Sequence, residues 1–312
     1  MGRNIILGAI QASTHLTEEE KTKINSKQVD LTLIQNLKQR ALQKYEQLIK
    51  DAAAKNIHVL GLGEVFAGPF FPAVANDPNW KLFAEHDHGP TITKMQQLAK
   101  EYNMVLIVPF YEKHDNKFYN TTAVIDANGD FLGKYRKIHI PTGWGFNEQD
   151  YFASGNLGIP VFQTHYGKVG IAICFDRHFL SIFRVLKKRG AEIVYIPSAT
   201  VENTSQYIWD SEIRMRAYDD KFYVVAINRV GQEGIGGLAS TRFYGKTSII
   251  DPRGRIIKQA GTVDDEIVFA EVEVEESIKD AQARYPTSKF RLPILDYHKD
   301  VHEDANKKRF FQ

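Results

Sequence analysis

Four residues of this 312-residue chain carry side chains that could share one reaction. Cys174 is the only cysteine; it follows the apolar run "VGIAI" and precedes Phe175, Asp176, Arg177 and His178. A thiol becomes a strong nucleophile once its proton is taken, and a carboxylate within reach can take it. Glu64 closes the run "IHVLGLGE", where an unpaired carboxylate would be costly to bury. Lys137 lies in "GKYRKIHIP" and Glu148 in "GWGFNEQDYF". A lysine ammonium can stabilise charge that develops on a carbonyl oxygen. The chemistry these types could perform together is acyl transfer through a cysteine. Taken singly, each has an ordinary structural role. A lone cysteine behaves as a small buried hydrophobe, a strand-end glutamate faces water, and a basic cluster is a solvated turn.

Other constellations are weaker. His86, Asp87 and His88 in "EHDHG" could bind a metal, although such loop residues usually face water. The glycine-rich "GQEGIGG" (231–237) matches neither a phosphate loop nor a dinucleotide fingerprint. The chain has no G-x-S-x-G, C-x-x-C or H-E-x-x-H.

The elements that must carry these residues alternate. Apolar, β-branched runs at 5–10, 57–64, 104–111, 121–130, 169–174, 191–199 and 222–230 read as strands. Segments 31–56, 91–103, 177–189 and 203–220 read as helices, and 246–258 as a hairpin. Strands that are apolar on both faces and separated by helices imply an α/β fold with its sheets covered by helices. Cys174 is expected at the carboxyl end of a strand, where α/β sheets gather ligands; a helix starting near Asp176 would favour its thiolate.

Composition bounds the reading. Net charge is +2, with 43% hydrophobic and 25% charged residues. Nothing in this balance calls for nucleic acid or an anionic membrane. No stretch approaches the roughly 18 apolar residues of a membrane helix, and the N-terminus reads as a strand rather than a signal peptide. One cysteine excludes an intrachain disulfide and points to a reducing, cytoplasmic setting. The sequons at Asn120 and Asn203 are then incidental. No repeat or linker is evident. Residues 1–275 read as one catalytic domain and 276–312 as a C-terminal extension expected to pack on a partner subunit.

In order and surroundings, "GEVF" with Glu64, "YRKIHIP" with Lys137 and "AICFDRHF" with Cys174 resemble the nitrilase superfamily, the carbon–nitrogen hydrolases. The resemblance runs from about residue 5 to residue 272. The stretch from "GFNEQDYF" to "CFDRHF", with "GAEIVYIPSAT", "AINRVG" and "RFYGKTSIIDPRG", looks most like the β-ureidopropionase branch.

That resemblance implies a four-layer αββα sandwich, paired into homodimers or higher homo-oligomers, and catalysis with no cofactor and no metal. It implies Cys174 as nucleophile, Glu64 as general base and acid, and Lys137 with the Phe175 backbone N–H as oxyanion donors. Glu148 matches a second glutamate that orients Lys137 or the substrate. The implied reaction cleaves an N-carbamoyl-β-alanine-like compound to amine, CO2 and ammonia. N-carbamoyl-D-amino acids, carbamoylputrescine and simple amides are the alternatives, and a non-catalytic binding protein would be expected to lack a triad member. Arg177 is the candidate partner for a substrate carboxylate, because guanidinium binds carboxylate bidentately. Its alternative is an ion pair with Asp176 or another nearby acid. One departure is "PTGWGFNE", where ureidopropionases often carry a basic or bulkier segment, so the ligand itself could differ.

Overall fold

The computed structural model describes residues 2–286. In chain order its main strands are β1 (Asn4–Gln11), β2 (Val59–Gly61), β3 (Val105–His114), β4 (Lys117–Ile125), β5 (Phe131–Arg136), β6 (Val161–Thr164), β7 (Gly167–Ile171), β8 (Ile193–Pro197), β9 (Tyr223–Ile227), β10 (Ser248–Ile250), β11 (Ile256–Gln259) and β12 (Glu266–Glu273). The helices are α1 (Glu18–Asn25), α2 (Leu31–Ala53), α3 (Pro90–Tyr102), α4 (Leu180–Lys188), α5 (Trp209–Asp220) and α6 (Val274–Arg284). One sheet has the order β12-β1-β2-β3-β4-β5, the other β11-β10-β9-β8-β7-β6. Each has a parallel centre, β1-β2-β3 and β7-β8-β9, with antiparallel strands on its flanks.

The side-chain alternation explains the layering. Leu7, Ala9, Val59, Val105 and Ile107 face Val169, Ile171, Ile193, Tyr195, Val225 and Ile227, forming the core between the sheets. The intervening Ile10, Leu60, Leu106 and Val108 pack outward on α2 and α3. Val194, Ile196, Val224 and Ala226 pack outward on α4 and α5. Both faces of each central strand are thus covered, which is why these strands read as unbroken apolar runs. The result is the four-layer αββα sandwich. α2 shows how a helix is specified: Leu33, Ile34, Leu37, Tyr45, Ile49 and Ala52 recur on one buried face. The Asp30 carboxylate caps it, accepting from the Leu33 N–H at 2.7 Å. Each such leucine or isoleucine, fully buried, contributes roughly 1.5–3 kcal/mol against the entropy of ordering the chain.

The sheets pack closely at Gly61. A Cβ there would lie 2.5 Å from Ile227 Cδ1 and 2.6 Å from Tyr195 Cδ1. Tyr195 in turn donates its hydroxyl to the Val59 carbonyl across the interface, at 2.8 Å.

Two boundaries differ from expectation in a way that matters. The strands expected to end at Glu64 and Cys174 stop at Gly61 and Ile171. Beyond them the backbone turns out of the sheet, and Val65 and Cys174 take left-handed φ values of 49° and 47°. The helix expected from about 177 starts at Leu180, after a five-residue 3-10 turn, Cys174–His178. The domain boundary read at 275 falls inside α6, whose Val274 joins the core between the sheets. Most of the expected extension, from 287 onward, lies outside the described residues.

Candidate active site

Glu64, Lys137 and Glu148 form one fully buried cluster, although 73 residues separate the first two. Lys137 follows β5 directly, and its backbone N–H is held by the Asn120 carbonyl of β4 at 2.8 Å. Its Nζ donates to Glu64 Oε1 at 2.9 Å and to the two Glu148 oxygens at 2.8 and 2.7 Å. Asn120 Nδ2 adds a second bond to Glu64 Oε1, at 2.7 Å. Glu64 Oε2 is buried with no hydrogen-bond partner in the protein. A carboxylate whose first oxygen is fixed by two donors and whose second is left open is equipped to accept a proton there.

Burial alone would lower the Lys137 pKa, but the Glu148 and Glu64 charges hold its ammonium above the ordinary lysine value. Burial raises Glu148 to about 7, against the pull of Lys137. One cation thus balances two carboxylates.

Cys174 reaches this site from the second sheet. Asp176 makes the connection. Its Oδ2 accepts from the Ile173 N–H at 3.1 Å and the Tyr135 hydroxyl at 2.7 Å. Its Oδ1 accepts from the His139 N–H at 3.0 Å and lies 2.8 Å from His139 Nδ1. One carboxylate therefore ties the cysteine turn to the strand and loop that flank Lys137. The condition that would favour a thiolate, a helix starting near Asp176, is not met, because α4 starts at Leu180. Burial and the Glu64 charge push the thiol up to about 12, outweighing Lys137 and Arg177. Burial thus favours the neutral thiol over the thiolate at this position.

The thiol opens onto a cavity of about 330 Å³, walled by Phe175, Arg177, His178, Thr200 and Ser205 among others. Among the described residues no aspartate or glutamate lines it. Trp144 stands at its edge, 87% exposed, between Gly143 and Gly145. Arg177 does not pair with Asp176. Its Nη1 donates to the Cys174 carbonyl at 3.0 Å and lies 3.8 Å from Sγ, and Nη2 donates to Ser205 Oγ. Its Nε sits 3.0 Å from Glu212 Oε2, a charge contact out of line for a hydrogen bond. Glu212 Oε1 also lies 2.7 Å from His178 Nδ1. One glutamate therefore serves both an arginine and a histidine of the cavity wall.

Of the weaker candidates, Asp87 is engaged by Lys134 at 2.6 Å. Among the described residues no cluster of three or more His, Cys, Asp or Glu side chains is arranged to hold a metal. Sequence reading missed Asn120, the Asp176 clamp and the Thr200–Ser205 wall. Asn203, the other sequon, lines the cavity.

The family model for carbon-nitrogen hydrolases matches residues 28–282, and the chain belongs to that family. It is 34% identical over 259 residues to the N-carbamoylputrescine amidase of Arabidopsis thaliana, covering 80% of this chain and 86% of that one. It is 38% identical over 193 residues to the beta-ureidopropionase of the same plant, covering 61% of this chain and 47% of that one. The fold matches a carbon-nitrogen hydrolase from Helicobacter pylori G27 with TM-score 0.81 at 23% identity, over 96% of this chain and 98% of that one. The protein is a hydrolase of carbon–nitrogen bonds other than peptide bonds. No helix among the described residues is long and apolar enough to cross a membrane.

Proposed function

We propose that the protein hydrolyses an N-carbamoyl compound bearing a carboxylate, of the N-carbamoyl-β-alanine type, to an amine, CO2 and ammonia. The observation that carries this reading is the cavity wall, which presents Arg177 and His178 beside Cys174 and no acidic side chain. A cationic tail would find no counter-charge there. The reading takes Cys174 as nucleophile. Glu64 Oε2 accepts the thiol proton as Sγ bonds to the carbamoyl carbon. Lys137 and the Phe175 backbone N–H balance the oxyanion. The C–N bond then breaks, and Glu64 returns the proton to the leaving amine. A water, deprotonated by Glu64, releases the carbamoyl group from Sγ as carbamate, which separates into CO2 and ammonia. Glu148 holds Lys137 in place. No step calls for a metal or cofactor. The proposal includes assembly into a homodimer or larger homo-oligomer in the cytoplasm.

The resemblance to N-carbamoylputrescine amidase over 80% of the chain favours a second reading, a cationic substrate. Ammonia release by the purified protein from N-carbamoyl-β-alanine, N-carbamoyl-D-amino acids, N-carbamoylputrescine and simple amides separates the two. Turnover confined to N-carbamoylputrescine would overturn the carboxylate reading.

A further inference from the structure

Glu64 leaves β2 in a turn whose carbonyl groups converge on one side chain. Arg229, two residues beyond β9 and 3% exposed, donates Nε and Nη2 to the Glu64 carbonyl at 3.2 and 2.9 Å. The same Nη2 lies 2.6 Å from the Val65 carbonyl and 2.9 Å from that of Gly68. Its Nη1 donates to Thr14 Oγ1 at 2.9 Å and to Glu233 Oε1 at 2.6 Å. Glu233, also buried, uses its other oxygen to accept from the Phe70 N–H at 2.7 Å. The guanidinium thus binds three carbonyls of one turn, and its own counter-ion binds the far end of that turn. Val65 in this turn is a β-branched residue with φ 49°, a conformation that persists only where the surroundings impose it. A planar fork with five donors can impose it; a lysine cannot reach the same acceptors at once.

We propose that Arg229, braced by Glu233, is a positioning residue that sets the direction of the Glu64 carboxylate by locking its backbone turn. Arg229 touches neither thiol nor cavity, so it acts through Glu64 alone. The preceding residue has a parallel task on the other wall. Asn228 accepts from the Thr200 N–H at 2.9 Å and donates to its carbonyl at 3.1 Å. Two consecutive residues at the end of β9 therefore hold the turn of the base and the wall of the cavity.

This inference rests on Glu64 being the proton acceptor, and the experiment separates the two. Steady-state kinetics on the best substrate of the panel are measured for wild type, Arg229→Lys, Glu64→Gln and the double variant, with folding checked by thermal melting. Arg229→Lys should lower kcat ten- to a hundredfold while KM changes less than threefold. In the Glu64→Gln background the same substitution should cost less than twofold, because a misdirected carboxylate matters only where the carboxylate exists. A merely structural arginine would lower the rate equally in both backgrounds, and that result overturns the proposal, as does wild-type kcat in Arg229→Lys. Full activity in Glu64→Gln would instead overturn the role of Glu64 itself. If Arg229→Lys does not fold, Glu233→Gln takes its place. Loss of kcat at steady KM then supports the proposal, and unchanged kcat overturns it.

Discussion

Replacing Glu148 with glutamine should slow the enzyme and, as pH rises, stabilise it relative to wild type. Burial holds the Glu148 carboxyl at about 7, above its ordinary 4.5, so the folded protein binds that proton more tightly than the unfolded chain. The stability linked to the group is fully present below pH 4.5 and is lost as pH rises through 7. That rise corresponds to on the order of 3 kcal/mol, at about 1.36 kcal/mol per pKa unit. Glutamine does not titrate. Between pH 4.5 and 8 the unfolding free energy of Glu148→Gln should therefore gain up to about 3 kcal/mol on wild type. Activity should move the other way. Of the two bonds from the Lys137 ammonium to the Glu148 carboxyl, glutamine can keep one, at its amide oxygen, while its NH2 would face the ammonium donor to donor. A charge-assisted bond is worth about 1.5–3 kcal/mol, so kcat should fall roughly ten- to a hundredfold. Urea unfolding across this pH range, beside ammonia release, reads both effects. Parallel stability curves for the two proteins would refute the reasoning, because they would mean that Glu148 does not titrate in that window.

The other expectations concern the thiol, the metal and the cavity wall. Cys174→Ala should abolish hydrolysis with the melting temperature kept within a few degrees, since a small side chain replaces a small one; ammonia release above background would refute it. EDTA should leave the rate unchanged and a thiol-alkylating agent should remove it, whereas zinc-reversible loss with EDTA would redirect attention to His86, Asp87 and His88. Glu212→Gln strips the counter-charge from Arg177 and His178, so KM for N-carbamoyl-β-alanine should fall severalfold while that of a neutral amide holds. Equal changes for both substrates would withdraw the carboxylate assignment.

The parts of this molecule legible in its sequence are those fixed by periodicity and by rare residue types. Central strands such as β3 and β8 are apolar on both faces, and a short run of that kind, rich in β-branched residues, is seldom anything but a buried strand. Among the antiparallel flanking strands, part of β4 and the β10–β11 hairpin were anticipated, whereas β5, β6 and β12 were not. β12 (EIVFAEVE) mixes three glutamates with apolar residues at a sheet edge, without regular alternation, and β5 (FLGKYR) carries a glycine and two cations. Their places are decided by partners far along the chain. Glu64, Lys137, Glu148 and Cys174 stood out as charged or nucleophilic groups beside apolar runs. Asn120 did not, and a sequon hid it: the residue is fully buried in β4 with its amide on Glu64, where no glycan could be attached. The pairing of Arg177 was equally illegible. Asp176 is adjacent in sequence, yet it faces His139 and Tyr135 on the first sheet's side, while the arginine meets Glu212 from α5.

The close approach at Gly61 has a mechanical meaning. Glu64 and Lys137 follow strands of one sheet and Cys174 a strand of the other, so under the proposed mechanism the gap between the sheets would also be the reach of the proton transfer. Gly61 acts as a spacer between the two sheets, three residues before Glu64. With alanine there, Tyr195 and Ile227 would have to retreat by about 1 Å to restore ordinary contact. A displacement of that size at a reacting centre can cost about a hundredfold in rate. On the proposed mechanism, a residue with no side chain would thus help set the spacing on which the reaction depends.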